Sequence, residues 1–323
     1  MMTVPAIVHA LKTVAVPEGR RLWVYGDRAL AKGDIYTPWH DAAHGAGIDG
    51  GHFHADIRTL ASSYDAVIVN SPRQQEEAEG LLALALQRSG GFVMAAAAKN
   101  AGGNRLASML EGYGVPFNEM SKDGCRIVWT AKASEAKGDV VAQNIAKLEP
   151  RRIRLEDADW WTVPGIFGWN KIDAGSRLLL RHLPEDLCGD IADFGCGYGY
   201  IAVHLSRRYT NIAKIDAYDA DARAVAAAAR NGDKKIQAVW MDVRLLSGHQ
   251  HYDSIVMNPP FHSGKAEDIA LGESFIRTAW NSLKPGGRLF FVANRHLPYE
   301  KIVPALHRLY EGEGFKIIMG TKS

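Results

Sequence analysis

Cysteine is scarce and scattered: Cys125, Cys188 and Cys196 form an odd set with no paired spacing. That excludes a disulfide framework and a cysteine-based zinc site. Long apolar runs are missing too, since no stretch approaches the roughly 20 residues that a membrane-spanning helix needs. Met1-Met2-Thr3-Val4-Pro5-Ala6 has no basic segment ahead of an apolar run, so no secretory leader is expected and the cytoplasm is the expected compartment. Charge of one sign is not in excess, with 38 Lys+Arg against 36 Asp+Glu leaving +2. A nucleic-acid partner is neither demanded nor excluded, because a basic face can be offset elsewhere. His52 and His54 have ligand-like spacing but no acidic or cysteine ligand completing a set, so no metal is expected. What is there is ordinary for a globular chain, 47% hydrophobic and 23% charged. At 323 residues the chain is about twice the usual domain size, and two domains are expected.

The sequence is also self-similar. Tyr64-Asp65-Ala66-Val67-Ile68-Val69-Asn70-Ser71-Pro72 matches Tyr252-Asp253-Ser254-Ile255-Val256-Met257-Asn258-Pro259-Pro260 in Tyr, Asp, Asn and the last Pro, at one constant offset. Each is an apolar, β-branched run closed by Asn and Pro, the pattern of a buried parallel strand entering a loop. Leu86-Gln87-Arg88-Ser89-Gly90-Gly91 and Leu283-Lys284-Pro285-Gly286-Gly287 then repeat a helix end and a Gly-Gly turn before another strand. A duplicated α/β domain follows: a first copy over 1–135, a linker over 136–158 and a second copy over 159–323. The linker is placed where residues 133–139 and 150–154 interrupt the periodic pattern, and Arg151, Arg152 and Arg154 read as its solvated face rather than as phosphate ligands. The copies differ where chemistry would sit. Leu22-Trp23-Val24-Tyr25-Gly26-Asp27 offers one glycine where the second copy has Ile191-Ala192-Asp193-Phe194-Gly195-Cys196-Gly197-Tyr198-Gly199, and Ser71 replaces the first proline of Asn-Pro-Pro. The first copy is expected to be degenerate and catalytically inactive.

In the second copy a strand, a glycine loop and an amphipathic helix follow one another, the context that gives a glycine cluster meaning. Gly195, Gly197 and Gly199 allow a tight turn and close approach of backbone to a ligand. Their spacing falls short of the dinucleotide fingerprint, which favours a sulfonium cofactor, S-adenosylmethionine, over NAD. The next strand ends at Asp219, followed by Asp221; a carboxylate there suits the ribose hydroxyls of an adenosyl group, in either cofactor. The strand after it ends at Asp242, placed to accept from an adenine amine. Each aspartate taken singly reads as a loop or helix-capping residue. In order, at three successive strand ends, Asp193 with its loop (Cys196 included), Asp219 and Asp242 read as a cofactor site.

Asn258-Pro259-Pro260-Phe261 closes the following strand. Out of context it is a turn. In this position its residue types suit an exocyclic amine on a planar base, a poor nucleophile whose lone pair is delocalised into the ring. The Asn258 side-chain oxygen and the Pro259 carbonyl can accept both N–H bonds and aim the nitrogen. The prolines stiffen the turn, and Phe261 offers a face for a flipped base. His262 and Lys265 stand behind it and read as solvated neighbours rather than as phosphate contacts.

Gly165-Ile166-Phe167-Gly168-Trp169-Asn170-Lys171-Ile172-Asp173-Ala174-Gly175-Ser176, Asn258-Pro259-Pro260-Phe261-His262 and Val292-Ala293-Asn294-Arg295-His296-Leu297-Pro298-Tyr299 together resemble the ribosomal RNA small subunit methyltransferase C family of class I methyltransferases, guanine-N2 enzymes with a large-subunit relative. The likeness covers 160–320 by motif and 20–130 by architecture only. It implies two tandem Rossmann-like class I methyltransferase domains, the first degenerate, supporting the fold of the second and widening its RNA contact. It also implies methylation of guanine N2 in 16S rRNA, with ribosomal RNA or an assembly intermediate as partner; with no long apolar run, no membrane contact is expected, and the chain is expected to be a monomer. Asp173 and Ser176 are placed by the likeness at the amino-acid end of the cofactor, while a helix N-cap explains them as well. Rival readings keep the fold and change the acceptor, to 23S rRNA guanine, adenine N6 or a protein glutamine. Two others discard the chemistry: a non-catalytic RNA-binding scaffold, and a nicotinamide oxidoreductase.

Overall fold

The two repeated apolar runs lie at the centre of two sheets of identical topology. The computed structural model describes residues 3–26, 33–40, 52–246, 251–260 and 266–323. The first sheet contains β1 (Arg21–Val24), β2 (Asp34–Tyr36), β3 (Phe53–His54), β4 (Tyr64–Asn70), β5 (Ser89–Ala98), β6 (Asn118–Lys122) and β7 (Cys125–Thr130), in the order β3-β2-β1-β4-β5-β7-β6. A separate antiparallel hairpin pairs β8 (Arg151–Leu155) with β9 (Ala158–Thr162). The second sheet contains β10 (Gly189–Phe194), β11 (Ile212–Asp219), β12 (Ile236–Trp240), β13 (Tyr252–Met257), β14 (Leu283–Asn294), β15 (His307–Gly312) and β16 (Phe315–Thr321), in the order β12-β11-β10-β13-β14-β16-β15. In each, five strands run parallel, the sixth in that order (β7, β16) is antiparallel to them, and the edge strand (β6, β15) pairs antiparallel to the sixth. Both units are class I methyltransferase-like folds.

Parallel strands covered by helices on both faces must be apolar on both faces, which is why the runs are continuous rather than alternating. In the first unit Ala66, Ile68, Met94 and Ala96 pack beside Ala6, Ile7 and Ala10 of the helix Thr3–Thr13. Their sequence neighbours Val67, Val69, Val93 and Ala95 turn the other way, against Leu81 and Leu84 of the helix Gln75–Arg88. The second unit buries Ala192, Phe194, Ile255, Met257, Leu289 and Phe291 in one core with Ile276 and Ala279 of the helix Ala266–Ser282.

Polar devices are duplicated as well. The Tyr64 hydroxyl donates to Asp34 at 2.9 Å, and that of Tyr252 to Asp216 at 3.0 Å. Asp65 accepts from the backbone of Arg20 at 2.7 Å, and Asp253 from that of Asp190 at 2.8 Å. Gly19 and Gly189 precede those amides at φ of +116° and +75°, where a Cβ would overlap the same Asp65 and Asp253 carboxylates.

The chain divides into residues 1–150 with 163–165, and residues 151–162 with 166–323. The expected linker over 136–158 is therefore folded. Gly138–Ile145 is a helix whose Val141 is buried in the first unit's core, with Ile145 and Leu148 packed beside it. Spacing of three and four residues puts these on one helical face, a signal hidden by the polar residues between them. Residues 151–162 belong to the second unit. Among the described residues no helix is long and apolar enough to cross a membrane.

Candidate active site

Strand register brings the expected site together. β10 lies between β11 and β13, with Phe194 beside Tyr218 on one side and Met257 on the other. Gly195, Asp219 and Asn258 therefore leave three adjacent strands at their carboxyl ends, at the switch point where open parallel sheets bind ligands. Gly195, Gly197 and Gly199 hold φ of +79°, +54° and +90°, a left-handed backbone that suits glycine. At Gly199 a Cβ would also meet the Ala228 backbone at 3.1 Å. Conformation, more than the expected collision with a ligand, is what selects glycine here. The loop amides are turned inward: Gly195 and Cys196 donate to the Tyr218 carbonyl, Gly197 to Asp219 and Gly199 to the Cys196 carbonyl, at 2.8–2.9 Å. A pyrophosphate cradle needs such amides pointing at the ligand. That counts against a dinucleotide and removes the physical ground for the oxidoreductase.

A cleft opens over this loop, lined by Phe167, Asp173, Ser176, Gly195, Cys196, Gly197, Tyr198, Tyr200 and Asn258 among others. Asp173 caps the helix Ala174–Arg181, accepting from the Ser176 backbone at 2.8 Å. The same Asp173 oxygen and the Ser176 hydroxyl both accept from the Asn258 side-chain amide, each at 2.8 Å. A carboxylate accepts and does not donate, so the amide nitrogen of Asn258 is turned toward Asp173 and its carbonyl oxygen is left for an acceptor group. Asp173 is thus a helix cap and a wall of the cleft. Pro259 is buried and Pro260 half-buried. Phe261, His262 and Lys265 lie outside the described residues.

Asp193 is fully buried beneath the loop, and burial pushes its carboxyl up to about 8. One of its oxygens accepts from Ala202 at 3.1 Å; the other has no hydrogen-bond partner among the described residues. Burial likewise raises Asp219 to about 6, although it accepts from Gly197 and Asp221 at 2.9 Å each. Desolvated carboxyls of this kind favour a cation nearby, as the sulfonium and ammonium of S-adenosylmethionine would provide. The residues fit that cofactor, with Asp193, the glycine loop, Asp219 and the aromatic Tyr198 and Tyr200 as its expected holders. Burial also raises the Cys196 thiol well above its ordinary value, so it is a packing residue and no nucleophile. Asp242 is different. It caps a short 3-10 turn and engages Arg244 through both carboxylate oxygens, at 2.9 and 3.0 Å from Nε; like Asp193 and Asp219, it is not among the lining residues of the cleft. Asp221 caps the helix Ala222–Asn231 in the same way, with Arg223 folded back on it.

Titration of S-adenosylmethionine into the full chain should therefore release protons. A cation stabilises the ionised carboxylates and lowers their raised values, so protons are released below about pH 8 from Asp193 and below about pH 6 from Asp219, and affinity rises with pH up to about 8. Calorimetry in buffers of different ionisation enthalpy reads it, with one equivalent bound per chain. Proton-neutral binding would remove Asp193 and Asp219 from the site, and two equivalents would restore a working site to the first unit.

In that unit the register sets Trp23 beside Ile68 as Asp193 stands beside Val256, so Trp23 occupies the Asp193 position and Tyr25 that of Gly195. Tyr25 keeps the left-handed backbone, at φ +56°, and its hydroxyl donates to Glu77 at 2.6 Å. Asn70, in the place of Asn258, donates to the Tyr25 carbonyl at 3.3 Å. The left-handed bend survives at Tyr25 without a glycine there, and Trp23 fills the position of the acid. His54 binds Thr59 through Nδ1 at 2.8 Å, and its Nε2 lies 3.7 Å from Asp34, an acidic neighbour supplied by β2 that sequence spacing does not reveal.

The sequence reading missed Phe167, Tyr198 and Tyr200 as cleft residues, and Asn231, whose side chain donates to the carbonyls of Tyr198 and Trp161 at 2.8 Å. Two of them, Tyr198 and Tyr200, sit between or beside the glycines, a signal that was available.

The family model described as Methyltransferase small domain matches residues 157–319. The ribosomal RNA small subunit methyltransferase C of Pseudomonas paraeruginosa is 32% identical over 295 residues, 86% of each chain. That of Ectopseudomonas mendocina is 31% identical over 290 residues, again 86% of each. Among solved structures, a T. thermophilus 16S rRNA guanine-N2 methyltransferase in complex with AdoMet and guanosine superposes with a TM-score of 0.80 at 24% identity, covering 98% of this chain and 92% of that one. With two sheets of one topology, an Asn-Pro-Pro turn beside a glycine loop, and relatives matched along most of their length, the chain belongs to the ribosomal RNA small subunit methyltransferase C family.

Proposed function

We propose that this chain transfers a methyl group from S-adenosylmethionine to the exocyclic N2 of a guanine in small-subunit ribosomal RNA. One observation carries the reading: the Asn258 amide is held by Asp173 and Ser176, at 2.8 Å each, with its carbonyl oxygen left to accept from an amine. When bound, the cofactor supplies an electrophilic methyl carbon on a sulfonium. The residues do the rest by positioning. Asn258 takes one N–H of the amine and the Pro259 carbonyl the other, which turns the nitrogen lone pair out of conjugation with the ring. Neither proline has an N–H to compete for the base. The alkylated nitrogen becomes acidic and its proton leaves to solvent, so no general base is required. Catalysis then rests on geometry and on electrostatics that exist before the substrate arrives.

The same reading makes ribosomal RNA the macromolecular partner, puts a monomeric chain in the cytoplasm and gives the first unit a supporting role in folding and RNA contact. Mass-spectrometric mapping of modified nucleotides in rRNA, from cells with and without the protein, tests it. Loss of one N2-methylguanosine from 16S rRNA is expected. Loss instead of a 23S rRNA guanine mark, an adenine N6 mark or a methylated glutamine would move the reaction to another acceptor, and no change in any RNA or protein would leave a scaffold.

A further inference from the structure

We propose that the β8–β9 hairpin is an RNA-backbone clamp on the rim of the donor cleft, taking phosphates on Arg152, Arg154 and Arg230 and stacking a base on Trp161. The proposal rests on the reading that RNA is the acceptor.

Antiparallel pairing sets Arg152 opposite Trp161 and Arg154 opposite Asp159, while Ile153 faces Trp160 and Leu155 faces Ala158. Cross-strand partners share a face and faces alternate along a strand, so the hairpin has one apolar side and one basic, aromatic side. The apolar side is the anchor. Trp160 is only 3% exposed and lies 5.4, 5.7 and 5.8 Å from the rings of Tyr198, Tyr200 and His204. Tyr198 and Tyr200 line the cleft, so the hairpin is fixed directly to its wall. Asn231 fastens the join. Its side chain accepts from the Trp161 amide and donates to the Trp161 and Tyr198 carbonyls, all at 2.8 Å.

Anchoring explains none of the other side. There the Arg152 and Arg154 side chains are 59% and 63% exposed, and the Arg230 guanidinium lies 4.9 Å over the Trp161 ring. Two guanidinium groups share the single carboxylate of Asp159, which lies 3.1 Å from Arg152 and 3.5 Å from Arg154. Exposed ion pairs of this kind contribute little net stability, so a phosphate can take over the arginines at small cost. Arginine beside an indole ring is the combination that holds single-stranded nucleic acid, with charge for the backbone and a π face for any base. A guanine whose amine is methylated must leave its stack, which makes the neighbouring strand available to such a surface.

The test is the Arg152→Gln, Arg154→Gln double variant of the full chain, compared with the wild type for affinity to a 16S rRNA fragment over a range of KCl. Expected is a loss of about tenfold in RNA affinity and a flattening of log K against log salt by roughly 1.4 to 1.8, two phosphate contacts at about 0.7 to 0.9 each. S-adenosylmethionine affinity and melting temperature should stay unchanged, as a bracing role confined to the buried side requires. Trp161→Ala should weaken RNA binding without altering the salt slope, because an indole carries no charge, and should keep the fold, because the hydrogen bonds of Trp161 to Asn231 are made by the backbone. Wild-type RNA binding with an unaltered slope in the double variant would overturn the clamp alone. Failure of the wild type to bind or methylate any rRNA would overturn the function on which the clamp rests as well.

Discussion

Replacing Asn258 with alanine is expected to lower kcat by roughly 10²- to 10³-fold, the usual loss when one pre-positioned polar group of an active site is removed, and to leave S-adenosylmethionine affinity within about twofold. The split follows from where the residue sits. The donor cleft has other walls, the glycine loop and the tyrosines beside it, whereas the amine is oriented by Asn258 and the Pro259 carbonyl. Without the side chain the amine can rotate back into conjugation, and the cost falls on the chemical step. Single-turnover methyl transfer, with donor affinity measured in parallel by calorimetry, separates the two. Equal loss of both would make Asn258 a structural residue. Losing the side chain also leaves Asp173 and Ser176 without the amide they hold at 2.8 Å, but both border the cleft and water can replace it. The folded state is therefore expected to survive the substitution.

The fold was legible where burial on both faces imposes one pattern, and the site where the chain repeats itself with a difference. Tyr64–Asn70 and Tyr252–Met257 declared central parallel strands because neither face of those strands meets water. The Asn that follows β13 could be placed beside the glycine loop because both leave neighbouring strands. Register was not legible. Only pairing to β4 and β13 shows that Tyr25 stands at the Gly195 position and Trp23 at that of Asp193. Nor was the fate of an aspartate near an arginine. Asp221 and Asp242 are each followed two residues later by Arg223 and Arg244, and whether such an arginine folds back or reaches into solvent is decided by the turn that the aspartate caps. Residues 138–148 read as linker because charge and glycine dominate locally, while the core that Val141 and Leu148 join is distant in sequence.

Replacing Asp173 with alanine is expected to cost roughly 10²-fold in kcat, close to the loss at Asn258, and Asp173→Asn should recover most of it. If Asp173 acted through its charge on the cofactor, the neutral isostere would fail and donor affinity would fall with it. Acting through geometry, what matters is one acceptor oxygen, which receives both the Ser176 backbone N–H and the Asn258 amide at 2.8 Å. An asparagine at 173 offers that oxygen, and its own amide can turn away. Alanine removes the helix cap, worth about 1 kcal/mol, and leaves Ser176 alone to hold the Asn258 amide. A misplacement of about 1 Å in a reacting group is enough for a hundredfold loss. The Asp173→Ala, Asn258→Ala double variant closes the argument. If Asp173 works by orienting Asn258, the two losses overlap and the double variant is little slower than Asn258→Ala; if they act separately the losses multiply, and Asp173 has a role of its own at the donor.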